Sequence, residues 1–482
     1  MGLIAESGAT SVEALLRENL EALLAILKKQ LQGQGDIDDE NLRFIITTLT
    51  RNLEISKFDW NWLENAALDR VLELQLEIAV TCIDLCPNDL ILLLILAVSY
   101  YTNAHVPWSN QQLAEISLAA NTQKSKVYLA RFADSILLRF LSVSGQTFTT
   151  VSSRRNGKKH FVKSRVSRPA LGLQISSLTE DNERTAWKQS SSVAALSSAV
   201  FLMMCDECNE YAAKCSTFAL NVLDDPDPLF RAQGCFLVMQ MLNHGYGLFL
   251  VRAGLIPVFL ESVKTCLTYL PQLTPTNVSF FLLKEAAYPA LLALLGISEN
   301  SSYVTYLEVL DGNLLALISH VLGRNSDAET NSLLAFFFIQ TTTLIEQNLR
   351  LSVLACFSRL NFVLCQTITN PYLIESENGD QVVTAALKVQ NAIFSLCSEH
   401  EDRQPSKLIL QYRLDFLAAW AILGKRIVKY GVGSAETKQV LQSNVLKLQK
   451  LAGKAGLQSV QEDLYALWEK APELRELMQT SE

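Results

Sequence analysis

The clearest cluster of chemically capable side chains is the acidic turn Asp224-Asp225-Pro226-Asp227-Pro228. Adjacent carboxylates such as Asp224 and Asp225 can serve as general acid and base, so catalysis is one interpretation. The two prolines favour another, because proline cannot continue a helix but fits the first turn of a new one. Carboxylates at that place accept hydrogen bonds from free backbone N–H groups. The turn therefore predicts helix capping, with acid–base chemistry as the alternative.

A cysteine cluster is the second candidate, because Cys205-Asp206-Glu207-Cys208 has a spacing that metal sites use. Cys215 and Cys235 follow it. However, no second Cys-x-x-Cys and no histidine pair stands nearby at zinc spacing, so the cysteines are interpreted as small apolar core residues. The sequence also lacks a nucleophile elbow, a phosphate-binding loop and a dinucleotide fingerprint. We predict no catalytic residue, no cofactor and no metal.

Helices must flank the acidic turn. Apolar residues at Phe218 and Val222 before it, and at Phe230 and Leu237 after it, keep the spacing of a helix buried along one stripe. Similar stripes cover most of the chain, and the pair Asp311-Gly312 is one of the predicted helix stops. The pattern predicts an all-α fold, specifically a HEAT/armadillo-like α-solenoid of antiparallel helix pairs.

One composition shift divides the chain. Residues 135–179 contain no acidic side chain, while basic residues cluster there among Ser, Thr and Gly. This composition is typical of a mobile loop or linker. We therefore predict an N-terminal helical region at 1–141, a basic loop or linker at 142–190 and a C-terminal HEAT-like region at 191–482. The basic patch could serve nuclear import or bind acidic segments, and it consists of Arg154, Arg155, Lys158, Lys159, Lys163, Arg165 and Arg168.

Composition limits the class of protein. Hydrophobic residues make up 49% and charged residues 19% of the 482 residues, which suffices for a large folded core. The net charge of -8 disfavours a nucleic-acid surface or an anionic membrane surface. The longest apolar run, from Leu90 to Val98, is much shorter than the about 20 residues of a membrane helix. Because residues 1–7 also lack a secretory pattern, we expect a soluble intracellular protein without direct membrane or nucleic-acid binding.

Three short motifs carry a family resemblance. They are Arg231-Ala232-Gln233-Gly234, Arg252-Ala253-Gly254-Leu255 and Tyr269-Leu270-Pro271-Gln272-Leu273-Thr274-Pro275. With the acidic turn, they resemble the signature region of the family of the second Tel-two-interacting protein, a subunit of the Triple-T cochaperone complex. The matching positions are turn and packing residues, namely Asp224, Asp225, Pro226, Arg231, Gly234, Gly254, Leu270, Pro271, Thr274 and Pro275.

The resemblance implies a non-catalytic scaffold in the cytoplasm and nucleus. Its partners would be the large first Tel-two-interacting subunit and Tel-two itself. With the ninety-kilodalton heat-shock chaperone, the complex would support folding, stability and assembly of phosphatidylinositol-kinase-related kinases such as TOR. The alternatives are a HEAT-repeat transport receptor, another protein–protein interaction scaffold, or an enzyme with a hidden site. The identities of stoichiometric partners would separate a scaffold from a transport receptor, and turnover or nucleotide binding would reveal an enzyme.

Overall fold

The computed structural model describes residues 19–33, 37–53, 70–99, 101, 209–243, 245–271, 274–298, 302–323 and 327–478. Within these ranges the chain forms helices joined by turns, and the only strand-like pairing is an isolated bridge between Pro271 and Thr274. The predicted all-α class is thereby confirmed. The finer prediction of an α-solenoid stays a prediction.

The helices are numbered in chain order through the described residues. They are α1 (Leu20–Leu31), α2 (Asp39–Leu53), α3 (Arg70–Cys82), α4 (Ile91–Ser99), α5 (Asn209–Leu223), α6 (Pro228–Asn243), α7 (Gly247–Arg252), α8 (Ile256–Cys266), α9 (Thr276–Phe281), α10 (Tyr288–Ile297), α11 (Tyr303–Glu308), α12 (Leu315–Leu322), α13 (Ala328–Leu344), α14 (Phe357–Thr369), α15 (Gly379–Glu399), α16 (Gln404–Leu410), α17 (Arg413–Tyr430), α18 (Ala435–Ala455), α19 (Ser459–Lys470) and α20 (Glu473–Met478). Short segments of π-helix (Leu282–Ala287, Val309–Leu314, Ile345–Leu349) and 3-10 helix (Arg350–Cys356) join some of them.

The chain divides into two compact units. The first comprises Met1–Cys266 and Glu285–Ile297, and the second comprises Leu267–Lys284 and Ser298–Glu482. The predicted linker at 142–190 lies outside the described residues, and so do its two boundaries. The predicted division into three regions therefore stays a prediction.

In the first unit, helices α1 to α4 share a hydrophobic core. Leu27, Leu49, Ile78 and Ile95 are among its fully buried members. They come from all four helices, so each of these helices contributes apolar side chains to one core. Tyr101 closes this core, because its hydroxyl donates a hydrogen bond to the carbonyl of Leu53 at 3.2 Å.

In the second unit, helices two or three apart in the chain lie side by side. Along α15 and α18, Thr384 contacts Thr437 and, further along both helices, Asn391 contacts Asn444. The two helices therefore run in the same direction. Helices α14 and α17 also pack against each other, as do α13 and α15.

An aromatic cluster fills the interior of the second unit. The rings of Phe394 and Phe416 meet edge to face with centroids 5.1 Å apart, and Phe416 stacks on Trp420 at 5.9 Å. The Trp420 indole N–H donates to the side-chain oxygen of Gln390 at 3.0 Å. The cluster thus joins α15 to α17 with its one polar indole group satisfied.

The predicted helix stop at Asp311-Gly312 is wrong. Both residues lie inside the π-helical segment Val309–Leu314, which runs without a break into α12. Arg359 of α14 donates to the backbone carbonyl and to the carboxylate of Asp311, at 2.9 and 2.8 Å. Glycine here marks a local widening of the helix, a feature that a local sequence pattern does not separate from a stop.

Two continuous helical stretches are apolar and long enough to span a membrane by length and composition. They are Thr276–Ile297 and Ala328–Thr369, whose most apolar windows are 50% and 44% buried inside the protein. Core helices of folded proteins have the same properties. These stretches are longer than the apolar run noted in the sequence, and the absence of membrane contact stays a prediction.

Candidate functional site

The acidic turn is held by its own carboxylates. Helix α5 ends at Leu223 and α6 begins at Pro228. The carboxylate of Asp225 accepts a hydrogen bond from the N–H of Asp227 at 2.8 Å, and that of Asp227 accepts from the N–H of Leu229 at 2.9 Å. Asp227 therefore caps α6, while Asp225 caps the turn before it. Pro228 occupies the first helical position, where its missing N–H costs nothing.

Arg231 ties this turn to α8. Its Nε donates to the carbonyl oxygen of Asp225 at 2.6 Å, and its Nη1 donates to the hydroxyl of Thr265 at 2.6 Å. From the same helix α8, the Ser262 hydroxyl donates to the carboxylate of Asp224 at 3.3 Å. The structure thus brings Asp224, Asp225 and Arg231 together with two hydroxyls that sequence reasoning missed.

The two adjacent acids serve different partners. Asp224 accepts from a hydroxyl of α8, whereas Asp225 accepts from a backbone amide of its own turn. A carboxylate pair that shared a proton would instead place its two carboxyl groups against each other. The geometry favours the structural interpretation of this turn.

Gly234 marks the closest approach of α5 and α6. A Cβ atom at this position would lie 2.7 Å from the backbone nitrogen and 2.8 Å from the Cα of Leu223. Such distances are below ordinary van der Waals contact, and the backbone of a helix cannot move away easily. A residue with a side chain at position 234 would therefore push the two helices apart. Pro226 lies exposed in the turn between them.

The other motif residues end or begin helices. Gly254 has φ +65° and follows α7, where its N–H donates to Val251 and the next N–H, of Leu255, donates to Leu250. This is the paired hydrogen bonding of a glycine-terminated helix, and the left-handed φ explains why glycine is needed.

The last motif belongs to the second unit. The N–H of Thr274 donates to the carbonyl of the buried Leu270 at 3.3 Å, and Pro271 pairs with Thr274 in the isolated bridge. Pro275 directly precedes α9, and its carbonyl accepts from the N–H of Ser279 at 2.9 Å. These residues shape a turn that starts a helix.

The cysteine cluster is only partly described. Cys205 and Cys208 lie outside the described residues, and Cys215 and Cys235 are buried. Within the described part of the chain, no group of three or more His, Cys, Asp or Glu side chains could hold a metal ion. Burial raises the pKa of the Cys235 thiol well above its ordinary value. The basic patch from Arg154 to Arg168 also lies outside the described residues.

The second unit exposes large apolar side chains on two packed helices that the sequence analysis did not identify. We call these side chains the outer face, and they are Phe362 on α14 with Leu414, Ala418 and Ile422 on α17. Phe362 is 66%, Leu414 56% and Ile422 41% exposed. The two helices meet beside this surface, because the amide of Asn361 lies 3.4 Å from the carboxylate of Asp415. Contiguous apolar patches on a protein surface are a feature of protein–protein binding sites.

These contacts define a class of protein. Helix caps, a close glycine contact and an arginine bridge hold the helices of an all-α protein together. A comparison with protein-family models matches residues 94–375 to the Tti2 family. Since this match covers more than half of the 482 residues, the chain belongs to the Tti2 family.

Family membership gives the chain a role in the Triple-T cochaperone complex, beside the first Tel-two-interacting subunit and Tel-two. The matched range contains all ten motif residues from Asp224 to Pro275. It ends before α15, so α15 to α20 lie beyond it. No curated protein and no solved structure matches the chain significantly.

Proposed function

We propose that this protein is a non-catalytic scaffold subunit that binds the large first Tel-two-interacting subunit and, through it, Tel-two. The match to the Tti2 family over residues 94–375 carries the proposal. The geometry supports it, because the motif residues cap, bridge and pack helices. Long helical stacks present extended side surfaces, and such surfaces suit another helical-repeat protein. An α-solenoid of antiparallel helix pairs is part of this proposal.

The cellular role that we propose is kinase maturation. Together with the ninety-kilodalton heat-shock chaperone, the complex would fold, stabilise and assemble phosphatidylinositol-kinase-related kinases such as TOR, in the cytoplasm and the nucleus. Family membership supports this role. Depleting the protein should lower the abundance of several such kinases together, while their messenger RNA levels stay constant. Unchanged kinase levels would contradict the cellular role but leave the assembly itself standing.

The assembly is tested by purifying the tagged full-length protein from cells. We expect the first Tel-two-interacting subunit and Tel-two as stoichiometric partners. Nuclear transport factors in their place would favour the transport-receptor alternative and contradict the proposal.

We further propose the outer face as the surface that meets the first subunit. Burying Phe362, Leu414 and Ile422 would remove exposed apolar area from water, which is the main driving force for association. Lys425 and Lys429, which are also exposed on α17, would form a polar rim beside this patch. An apolar centre with a polar rim is the usual anatomy of a protein interface.

Single charge substitutions test this surface. Phe362→Asp should reduce recovery of the first subunit by at least about tenfold, since side chains at an interface centre contribute about 2 kcal/mol or more. The matched control is Leu446→Asp on α18, a leucine that is 45% exposed outside the outer face. If the wild-type protein and Phe362→Asp recover the partner equally well, the outer face does not bind the first subunit, but the proposed function is unaffected. If wild type recovers no partner, the function itself fails.

A further inference from the structure

Two buried thiols face each other behind the acidic turn. Cys235 lies on α6 and Cys266 is the last residue of α8. Their sulfur atoms are 4.0 Å apart, although the residues are 31 positions apart in the chain. A disulfide has a sulfur–sulfur distance of about 2.05 Å, so each sulfur would have to move by only about 1 Å.

Cys266 is set apart from other cysteines by its surroundings. The Nη1 atom of Arg231 and the sulfur of Cys235 each lie 4.0 Å from its sulfur, and its thiol donates a hydrogen bond to the Ser262 carbonyl at 3.6 Å. A hydrogen bond from Cys235 and the positive charge of Arg231 lower the pKa of Cys266. By contrast, burial raises the pKa of cysteines elsewhere in the described chain, including Cys82, Cys365 and Cys397.

Cys266 is buried, but it lies close to solvent. Its neighbour Thr265 is exposed, and the bond from Arg231 to the Thr265 hydroxyl lies at the surface. Because the Cys266 thiol itself is fully buried, its oxidation requires the structure to open locally at this edge. The thiol is a nucleophile only as its thiolate, which a nearby guanidinium stabilises.

We propose that Cys235 and Cys266 form a dithiol that hydrogen peroxide oxidises to a disulfide linking α6 to α8. In the first step the Cys266 thiolate attacks one peroxide oxygen, the O–O bond breaks, and hydroxide leaves and takes up a proton to give water. The product is a sulfenic acid on Cys266. In the second step the Cys235 sulfur attacks that sulfenic sulfur, the S–O bond breaks, and the departing hydroxide takes the Cys235 proton to give a second water. Two thiols and one peroxide thus become one disulfide and two waters.

The disulfide would fasten the end of α8 beneath the Arg231 bridge. Because Arg231 also holds the carbonyl of Asp225, the cross-link would fix the packing behind the acidic turn. A thiol reductant such as glutathione would reverse it by exchange, so the modification suits a reducing compartment in which peroxide appears transiently.

The test uses the reduced full-length protein. It is treated with increasing hydrogen peroxide, its remaining thiols are blocked by alkylation, and its peptides are mapped by mass spectrometry. We expect a cross-linked peptide pair containing Cys235 and Cys266, lighter by two hydrogen atoms, at lower peroxide than any oxidation of Cys397. Dithiothreitol should remove the cross-link, and the oxidised protein should melt at a higher temperature than the reduced one.

Variants sharpen this result. Cys266→Ala should abolish the cross-link, whereas Cys397→Ala, at another buried cysteine, should leave it unchanged. If Cys266→Ala fails to fold, the peptide map of the oxidised wild-type protein still tests the proposal. The proposal is overturned if Cys235 and Cys266 are both recovered alkylated at a peroxide concentration that oxidises other cysteines. It is also overturned if Cys266 is found as a sulfinic acid beside a free Cys235.

Discussion

The contact between α5 and α6 and the contact between α15 and α18 join helices by opposite means. At the first contact the helices approach closely because Gly234 has no side chain, and Leu223 fills the space. At the second contact a row of polar side chains crosses from helix to helix, including Thr384 to Thr437 and Asn391 to Asn444. The first contact lies within the range that matches the family, and the second lies beyond it.

The polar seam between α15 and α18 is satisfied along its length. Asn444 is fully buried, its Oδ1 accepts from the amide of Asn391 at 2.8 Å, and its own amide donates to the carbonyl of Leu387 at 2.9 Å. Lys454 donates to the carbonyls of Cys397 and Ser398 at the end of α15. Because hydrogen bonds are directional, this seam sets the register of the two helices, whereas the glycine contact sets only their distance.

The largest expected effect is at the close contact. Leu223→Ala should lower the free energy of unfolding by about 2–5 kcal/mol, because Leu223 is fully buried and its loss leaves a cavity. Urea unfolding measures the change. Leu446→Ala on α18, where the side chain is 45% exposed, is the control and should change stability by about 0.5 kcal/mol or less. Equal effects of the two substitutions would mean that the α5–α6 contact is not a packed core.

Replacing two different glycines with alanine should change the stability in opposite directions. Gly234→Ala should destabilise by about 1–3 kcal/mol, because its Cβ would overlap the Leu223 backbone. Gly453 lies inside α18, and a methyl group at this position would meet no atom within 4 Å. Gly453→Ala should therefore stabilise by about 0.5–1 kcal/mol through helix propensity. The melting temperatures of the two variants measure these changes. Stabilisation by both alanines would show that α5 and α6 are further apart than the structure places them.

Removing a buried amide from the polar seam should leave its hydrogen-bond partners on α15 unpaired. Asn444→Ala removes the acceptor of the Asn391 amide and the donor to the Leu387 carbonyl. We therefore expect the free energy of unfolding to fall by about 1–3 kcal/mol. A double-mutant cycle with Asn391→Ala should give a coupling above about 0.5 kcal/mol. Additive effects would instead mean that the two asparagines are independent and that apolar packing alone holds α15 to α18.

The contrast also explains how far the sequence predicts this fold. Local signals predicted the start of α6 after the acidic turn, because Pro228 and the neighbouring carboxylates act within one helical turn. Leu441 and Val445 of α18 are buried, as their spacing of four residues on a helix predicts. Asn444 on the same helix is equally buried, but an asparagine inside a helix looks like a surface residue until its partner on another helix is known.

The candidate site shows the same limit. The motif residues were found from their types, but the partners of Arg231 were not, because Ser and Thr residues of α8 carry no signal of what they contact. The outer face was missed for a related reason. Phe362 and Ile422 are of residue types that are usually buried, and only the packing of α14 and α17 decides which apolar residues remain outside.

Capping residues should give smaller effects than the close contact they precede. Asp227→Ala removes the acceptor for the Leu229 N–H, and Asp225→Ala removes the acceptor for the Asp227 N–H. Each should cost about 1 kcal/mol, measured by urea unfolding. If Asp225→Ala keeps the wild-type melting temperature but loses the first Tel-two-interacting subunit in a pull-down, the turn is a recognition surface and its structural role is wrong.

The smallest expected effect is at the solvent edge of the polar seam. Lys388 on α15 and Glu436 on α18 approach to 2.6 Å, but their side chains are 48% and 59% exposed. Water and salt screen such a pair, and ordering two long side chains costs entropy, so a double-mutant cycle should give a coupling of only about 0.2–1 kcal/mol. The coupling should fall further in 1 M salt, where charges are screened within about 3 Å. The Asn391–Asn444 coupling should persist in the same salt because both residues are uncharged. A salt-resistant Lys388–Glu436 coupling larger than that of the asparagines would mean that charge, and not the buried amides, sets the register of α15 and α18.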